Sequence, residues 1–144
     1  MLYTELTKKA MRIAYEAHKD QTDKVGVPYI FHPYHVAEQM KDELSVAAAL
    51  LHDVVEDTPL TFEDLAQEGI CEEVLDIVRL LTHEEDVGYM DYVQTIKDSR
   101  NERAIAIKLA DLEHNSDTTR FKKLNEKALA RIKKYEAARA VLLK

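Results

Sequence analysis

The sequence predicts an all-α fold in a single domain, and two observations support this prediction. Only three glycines and three prolines interrupt the 144 residues, so few positions force a helix to end. Apolar residues recur at helical spacing in most of the segments between these breakers. Because 144 residues suit one hydrophobic core and we find no internal repeat, we assign residues 1–144 to one helical bundle.

Three helices are predicted in the first part of the chain. An irregular loop precedes the second helix, because Gly26 permits unusual backbone angles and Pro28 disfavours helix before it. Pro33 fits the first turn of the second helix, and Ser45 is a suitable N-cap for the third. The third helix ends before Thr58-Pro59. The predicted helices are Met1–His18, Pro33–Leu44 and Ser45–Val55.

The second part of the chain is also predicted to be helical. Thr61 and Asp64 resemble the start of a short helix, and Gly69 breaks the pattern. The two most apolar segments, "AAALLHDVV" and "AIAIKLADL", are expected to form the central helices. The last helix is basic and amphipathic, and it packs either on its own domain or on a second subunit of a homo-oligomer. The predicted helices are Cys71–Leu81, Tyr89–Lys97, Asn101–Asn115 and Asn125–Lys144.

Composition and charge exclude several classes of protein. The net charge of −7 argues against general nucleic-acid binding, although it permits a local basic pocket for a small phosphorylated ligand. No apolar run approaches the ~20 residues that span a bilayer, and the charged amino terminus is unlike a signal peptide. Cys71 is the only cysteine, which excludes an intramolecular disulfide and a multi-cysteine zinc site. We therefore expect a cytoplasmic protein without nucleic-acid or membrane partners.

The third predicted helix carries acidic residues where a core helix normally carries apolar ones. In "ALLHDVVEDT", Asp53, Glu56 and Asp57 are spaced i, i+3 and i+4, so they share one face. His52 lies beside this face, four residues before Glu56. An acidic helix end is most often a solvated surface, so Glu56 and Asp57 by themselves favour that interpretation.

A second apolar segment is interrupted in the same way. In "IKLADLEHN", Lys108, Asp111 and Asn115 lie on one stripe. Burying several unpaired carboxylates is prohibitively costly, whereas a divalent cation neutralises them and uses their oxygens as ligands. Histidine and carboxylate ligands together suit manganese, iron or zinc. With His32 of "PYIFHP" as a third contribution, the combined pattern predicts a metal site.

The remaining histidines and the cysteine are interpreted without a catalytic role. His35 lies three residues after His32 and could bind a metal beside it, but a helix-surface or supporting position is the better interpretation. Cys71 has no evident activating partner, so we do not expect a nucleophile there. The histidines interpreted in this way are His18, His35, His83 and His114.

Three extended motifs resemble those of a known family. His32, the pair His52-Asp53 and the distant Asp111 resemble the H…HD…D signature of HD-domain metal-dependent phosphohydrolases. The closer resemblance is to the hydrolase domain of the RelA/SpoT family and its small stand-alone alarmone hydrolases. The motifs that carry it are "GVPYIFHP", "AALLHDVVEDT" and "KLADLEHN", in the family's order, between about Thr7 and Arg120.

The resemblance implies an HD-type helical bundle that holds one divalent metal ion, typically manganese. It implies removal of pyrophosphate from the 3′ position of guanosine tetra- or pentaphosphate. Glu56 and Asp57 would lie beside the attacking water and the scissile phosphate. The implied metal ligands are His32, His52, Asp53 and Asp111. The implied contacts to the nucleotide substrate are Lys24, Asn115 and Thr118.

Two departures from the family pattern concern the substrate. The family carries an arginine that stacks on guanine before the lysine of its loop, whereas this chain has Asp23 there. Leu112 also replaces the usual arginine of the third motif. An acid repels phosphates, so Asp23→Arg is expected to improve the alarmone reaction.

These departures leave three alternatives open. The chain could hydrolyse another nucleotide, such as a deoxynucleoside monophosphate or a nicotinamide dinucleotide phosphate. It could bind a nucleotide without hydrolysing it. It could also be a helical domain with no site, in which case the purified protein would contain no stoichiometric metal.

Overall fold

The computed structural model describes residues 1–144 and confirms the all-α class. It contains nine α-helices and one short 3-10 helix, and its only β-type pairing is an isolated bridge between Thr22 and Pro28. None of these helices has the length and apolar character needed to cross a membrane. The α-helices are α1 (Glu5–His18), α2 (Phe31–Glu38), α3 (Glu43–Leu51), α4 (Val54–Asp57), α5 (Phe62–Gln67), α6 (Glu72–Leu81), α7 (Tyr89–Ser99), α8 (Glu102–Asn115) and α9 (Glu126–Leu143), and the 3-10 helix is Thr118–Arg120.

Helix α3 lies at the centre of the bundle. Every residue from Ser45 to Leu51 is buried, and α1, α2, α6 and α8 pack around it. The small side chains of Ala47, Ala48 and Ala49 let these neighbours approach closely. The prediction that "AAALLHDVV" is central is therefore confirmed for the part that α3 covers. In contrast, α8 buries mainly one stripe, which includes Ala104, Ile107 and Asp111.

The second predicted helix is displaced towards the amino terminus. It begins at Phe31 and ends at Glu38, rather than running from Pro33 to Leu44. Pro33 does occupy its first turn, where a residue without an N–H is tolerated. The helix ends early because Asp42 adopts an extended conformation and begins the next one.

The N-cap of α3 is Asp42 and not Ser45. The Oδ1 atom of Asp42 accepts a hydrogen bond from the Ser45 backbone N–H at 2.9 Å. The Ser45 hydroxyl donates to Oδ2 of the same carboxylate, also at 2.9 Å. A carboxylate that satisfies a free N–H of the first turn is a stronger cap than a hydroxyl three residues further on.

The helix predicted to run unbroken from Ser45 to Val55 is interrupted. Helix α3 ends at Leu51, and α4 starts at Val54 after a break at His52 and Asp53. Asp53 has φ −105° and ψ 0°, in the region between helix and strand where many active-site residues lie. The break decides where the two polar side chains point.

The later helices agree with the predictions within a few residues. Asn101 and Asn125 accept hydrogen bonds from the first turns of α8 and α9, and Thr61 forms a capping box with Asp64. Helix α9 packs against α7 and α8 of its own chain.

Candidate metal centre

Four side chains from three parts of the bundle converge on one point. His32 comes from the first turn of α2, His52 and Asp53 from the break between α3 and α4, and Asp111 from α8. Each offers one ligand atom, and these atoms all lie within 4.8 Å of one another. His32, His52 and Asp111 are only 4%, 3% and 5% exposed.

The break after α3 lets two adjacent residues contribute to the same cluster. In a continuous helix, neighbouring side chains point about 100° apart. Here the His52 Nε2 atom lies 3.1 Å from Asp53 Oδ2 and 3.4 Å from Asp111 Oδ1. The His32 Nε2 atom lies 2.7 Å from the same Asp111 oxygen.

The His52 ring is oriented as a metal ligand should be. Its Nδ1–H donates to the backbone oxygen of Ala49 at 2.5 Å. In the neutral ring, Nε2 then carries a lone pair, and this buried atom makes no hydrogen bond although two carboxylates lie beside it. An orphaned imidazole nitrogen that faces two carboxylates fits a divalent cation of the manganese, iron or zinc type.

The two buried carboxylates of the cluster favour a proton on His52. Burial alone would raise the pKa of the carboxyl groups, but the neighbouring His52 lowers the pKa of Asp53 to about 2. Burial likewise opposes a charge on His52, yet Asp53 and Asp111 raise its pKa well above the usual value. A histidine must be neutral to bind a metal, so a cation bound here would take the place of this proton.

Three further side chains support the carboxylates of the cluster. Lys108 Nζ lies 2.9 Å from Asp111 Oδ2, which leaves Oδ1 facing the histidines. Burial opposes the charge on Lys108, but Asp111 raises the pKa of this amine well above its usual value. Asn115 donates to Asp111 Oδ1 at 3.2 Å, and the Tyr29 hydroxyl donates to Asp53 Oδ2. Such partners orient metal ligands.

Glu56 and Asp57 lie beside the cluster at the carboxyl end of α4. A carboxylate oxygen of each lies within 4.8 Å of one on Asp53. The Glu56 Oε1 atom accepts the His83 backbone N–H at 2.7 Å, and burial raises the pKa of Glu56. Burial and then the charges of Asp53 and Glu56 raise the pKa of Asp57 to about 6. A carboxyl group with such a pKa can exchange a proton near neutral pH.

A cavity of about 680 Å³ opens beside the cluster. Its wall includes His32, Glu56 and Asp57, together with three cationic side chains. A smaller recess of about 170 Å³ adjoins it and reaches Asp53 and Asp111. The cationic residues of the cavity are Lys24, Arg120 and Arg131. An anionic ligand could therefore enter next to the metal ligands, even though the whole chain is acidic.

The structure brings most of the predicted site residues together. The four predicted ligands form one cluster, and Lys24 and Asn115 line the cavity with Glu56 and Asp57. Thr118 instead lines a neighbouring cleft with His35 and Asp117, so its contact with a sugar stays a prediction.

The sequence motifs do not predict every residue of the site. His114 is predicted to be peripheral, but its Nδ1 lies 2.7 Å from Nδ1 of His32. The spacing could have revealed it, because Lys108 and His114 lie three residues before and after Asp111 on one helix face. Arg131 and Tyr135 of α9 line the cavity, and no pattern in the sequence tells which face of that helix meets it.

Comparisons with known proteins agree with this geometry. Residues 10–110 match the profile of the HD domain. The bifunctional (p)ppGpp synthase/hydrolase SpoT of Escherichia coli K12 is 35% identical over 124 residues, which cover 77% of this chain and 18% of that protein. The guanosine-3′,5′-bis(diphosphate) 3′-pyrophosphohydrolase of Haemophilus influenzae is 39% identical over 118 residues, or 74% of this chain and 17% of that protein. The chain thus spans less than a fifth of these relatives.

A solved structure shares the fold. It belongs to a metazoan orthologue of SpoT that is described as hydrolysing ppGpp, and it superposes with a TM-score of 0.77 at 24% identity. The match covers 100% of this chain and 88% of the other. Since the HD profile extends over most of the residues that build the bundle and its metal cluster, this chain belongs to the HD-domain family.

Proposed function

We propose that this chain is a metal-dependent phosphohydrolase that removes pyrophosphate from the 3′ position of guanosine 3′,5′-bis(diphosphate). The observation that carries the proposal is the cluster of two histidines and two aspartates, which lies beside two further carboxylates and a cavity lined by cationic residues. We infer the substrate from the names of the E. coli and H. influenzae relatives, which specify (p)ppGpp and guanosine-3′,5′-bis(diphosphate).

The proposed reaction divides the work between the metal and the protein. His32, His52, Asp53 and Asp111 would hold a divalent cation, whose Lewis acidity would activate water and polarise a phosphoryl oxygen. Asp57 or Glu56 takes a proton from the water, and the water oxygen attacks the phosphorus next to the ribose. The bond from this phosphorus to the 3′ oxygen breaks, and that oxygen receives the proton as pyrophosphate leaves.

The cationic residues of the cavity bind the phosphates in this proposal. Lys24 and Arg131 line the cavity and have no carboxylate partner within ion-pair distance, so their charges are available for an anion. Burial and the nearby charges of Arg131 and Lys134 lower the pKa of Lys24, as expected where cations converge on a site for phosphates. Asn115 contacts the sugar or holds Asp111.

Manganese is our proposed metal, and the experiment must test it together with the substrate. The metal-free protein is loaded separately with manganese, zinc, iron or magnesium. Release of pyrophosphate is then measured from guanosine 3′,5′-bis(diphosphate), and release of inorganic phosphate is measured from deoxynucleoside monophosphates and from a nicotinamide dinucleotide phosphate. We expect turnover of the guanosine substrate with manganese and none with the Asp53→Ala variant. Asp98→Ala is the matched control, because Asp98 is an exposed carboxylate on α7.

The same panel separates the alternatives. Faster turnover of another nucleotide would replace the proposed substrate but retain the reaction class. Tight nucleotide binding without hydrolysis in the metal-loaded protein would identify a binding module. A purified protein that takes up no stoichiometric metal would contradict the proposal entirely.

A cytoplasmic location and a homo-oligomer also stay proposals. The single cysteine fits a reducing compartment. Leu129 and Leu143 of α9 are exposed, which leaves apolar surface for a second subunit.

A further inference from the structure

An ion pair joins two segments of the cavity wall. Arg120, at the end of the 3-10 helix, donates from one terminal nitrogen to Asp23 Oδ2 at 3.1 Å. Its other terminal nitrogen donates to the backbone oxygen of His114 at 2.8 Å. Both side chains are largely buried, with 18% of Arg120 and 13% of Asp23 exposed. The guanidinium group is thus held from two sides at the edge of the cavity.

Asp23 also organises the loop that faces Arg120. Its Oδ1 atom accepts the backbone N–H groups of Val25 and Val27, both at 2.9 Å. The turn between them requires Gly26, which has φ +84°. Burial opposes the charge on Asp23, but these donors and Arg120 hold the pKa of the carboxyl below its usual range. One carboxylate therefore fixes both the loop and the guanidinium group.

The three cationic residues of the cavity differ in what they can offer a ligand. The charge of Arg120 is matched by Asp23, and two of its in-plane donors are occupied, so it is a poor clamp for phosphate. The flat face of a guanidinium group remains free for stacking when its edge is occupied. Phe121 follows in the chain and lines the same cavity. Neither Arg120 nor Phe121 lines the recess that reaches Asp53 and Asp111, whose cationic residues are Lys108 and Lys134.

We infer that Arg120 is a specificity-determining residue whose guanidinium plane, held by Asp23, is the platform for the base of the nucleotide. The inference rests on the proposed function for the class of ligand. It assigns the base to the Arg120–Phe121 side of the cavity and the phosphates to Lys24, Arg131 and the metal. Asp23 is then a positioning residue, and its charge does not repel the substrate.

This inference reverses the expectation for Asp23→Arg. An arginine at position 23 would place two guanidinium groups where an ion pair now stands, and it would remove the acceptor for two backbone N–H groups. We therefore expect Asp23→Arg to weaken nucleotide binding rather than to improve the alarmone reaction.

The test compares a ligand that has a base with one that has none. Binding of guanosine diphosphate and of inorganic pyrophosphate is measured by calorimetry with the full manganese-loaded chain. We expect Arg120→Ala and Arg120→Lys each to lower the affinity for guanosine diphosphate about ten-fold, as loss of base stacking does. The affinity for pyrophosphate should change by no more than about two-fold. Asp23→Ala should change the ratio of the two affinities in the same direction. Lys24→Ala is the comparison variant, which should lower the affinity for both ligands.

Arg120→Lys makes the test decisive, because lysine retains the charge but has no planar face. If Arg120→Lys binds guanosine diphosphate as the wild type does, or if both ligands weaken equally, the inference is overturned. Failure of the wild type to bind guanosine diphosphate overturns it as well. Circular dichroism and thermal unfolding show whether each variant is folded. Turnover is measured separately, so a wild type that binds through Arg120 but releases no pyrophosphate contradicts only the proposed function.

Discussion

His32 depends on a second imidazole for its orientation. Its Nε2 atom faces Asp111, and its Nδ1 atom lies 2.7 Å from Nδ1 of His114. Burial and then the neighbouring His32 lower the pKa of His114 to about 4, so His114 is neutral near pH 7 and can accept a hydrogen bond. The His32 Nδ1–H then donates to His114, which leaves the Nε2 lone pair for a metal.

Replacing His114 by phenylalanine is therefore expected to weaken metal binding. The ring volume is retained, but His32 loses the acceptor that fixes its tautomer. Loss of such a supporting partner lowers metal affinity by about 10- to 100-fold. Titration of the metal-free protein with manganese measures this affinity directly. His35→Phe is the control, because the ring of His35 stacks on His114 and forms no hydrogen bond with His32. Equal weakening by both substitutions would contradict the role of His114.

Asp57 makes the stability of the metal-free protein depend on pH. The folded protein raises its pKa from 3.8 to about 6, so the folded state binds a proton more tightly than the unfolded chain. The contribution of Asp57 to the free energy of unfolding should therefore fall as the pH rises from about 4 to about 6. Asp57→Asn has no carboxyl group to ionise in this unfavourable surrounding, so it should be the more stable protein at pH 7. Because Asp57 is partly exposed to solvent, we expect a gain of about 1 kcal/mol.

Urea unfolding of both proteins between pH 4 and pH 7 checks this prediction. The difference in unfolding free energy between Asp57→Asn and the wild type should grow with pH in this window. A constant difference would show that Asp57 titrates normally in the folded state.

At the scale of the helices, the cap at the start of α3 fixes the helix that leads directly into His52 and Asp53, two of the proposed metal ligands. Asp42 caps this helix through the Ser45 N–H and also pairs with Arg103 of α8 at 2.9 Å. The same carboxylate therefore ties α3, which leads directly into His52, to α8, which carries Asp111. The break after Leu51 then turns His52 and Asp53 into the cluster.

Removing this cap should destabilise the whole bundle. Asp42→Ala leaves the Ser45 N–H without its acceptor, and loss of an N-cap costs about 1 kcal/mol, up to about 2. Arg103→Ala is the matched control, because it removes the exposed ion pair but leaves the cap, and we expect a loss of at most ~1 kcal/mol. Thermal unfolding measures both. If Arg103→Ala costs as much as Asp42→Ala, the ion pair and not the cap stabilises α3.

At the scale of the whole molecule, one hydrophobic core of 26 buried residues encloses a cluster of buried charges. This single core supports the assignment of residues 1–144 to one HD-type domain, which stays a prediction. The core holds the ligands rigidly, but the cluster itself opposes folding, because buried carboxylates and imidazoles lose their hydration.

A bound metal should therefore stabilise the protein. At a concentration about 100 times the dissociation constant, a ligand adds roughly 2.7 kcal/mol to the free energy of unfolding. For a chain of this length, this raises Tm by roughly 5–10 °C. We expect this rise when manganese is added to chelator-treated protein, and a much smaller rise in Asp53→Ala. Equal rises in both proteins would show that manganese stabilises another part of the molecule.

The sequence alone determined the helical class, the positions of most helices and the identity of the metal-ligand candidates. Helical periodicity, capping residues and buried acids are local signals, so they can be detected without knowing what packs against what. Local signals failed where two of them compete. Ser45 and Asp42 are both good caps, and the apolar run through Val55 conceals the break at His52 and Asp53.

Only the tertiary structure decided which residues surround the proposed metal site and the cavity. His114 and Tyr29 support ligands because α2, α3 and α8 pack against one another, and Arg131 reaches the cavity because of the way α9 lies on α7 and α8. Asp23 shows most clearly why the sequence alone does not decide this. Its sequence suggests a charge that repels phosphate, but Arg120, 97 positions away, neutralises it. The effect of a charge depends on its partners in space, which the order of residues along the chain does not specify.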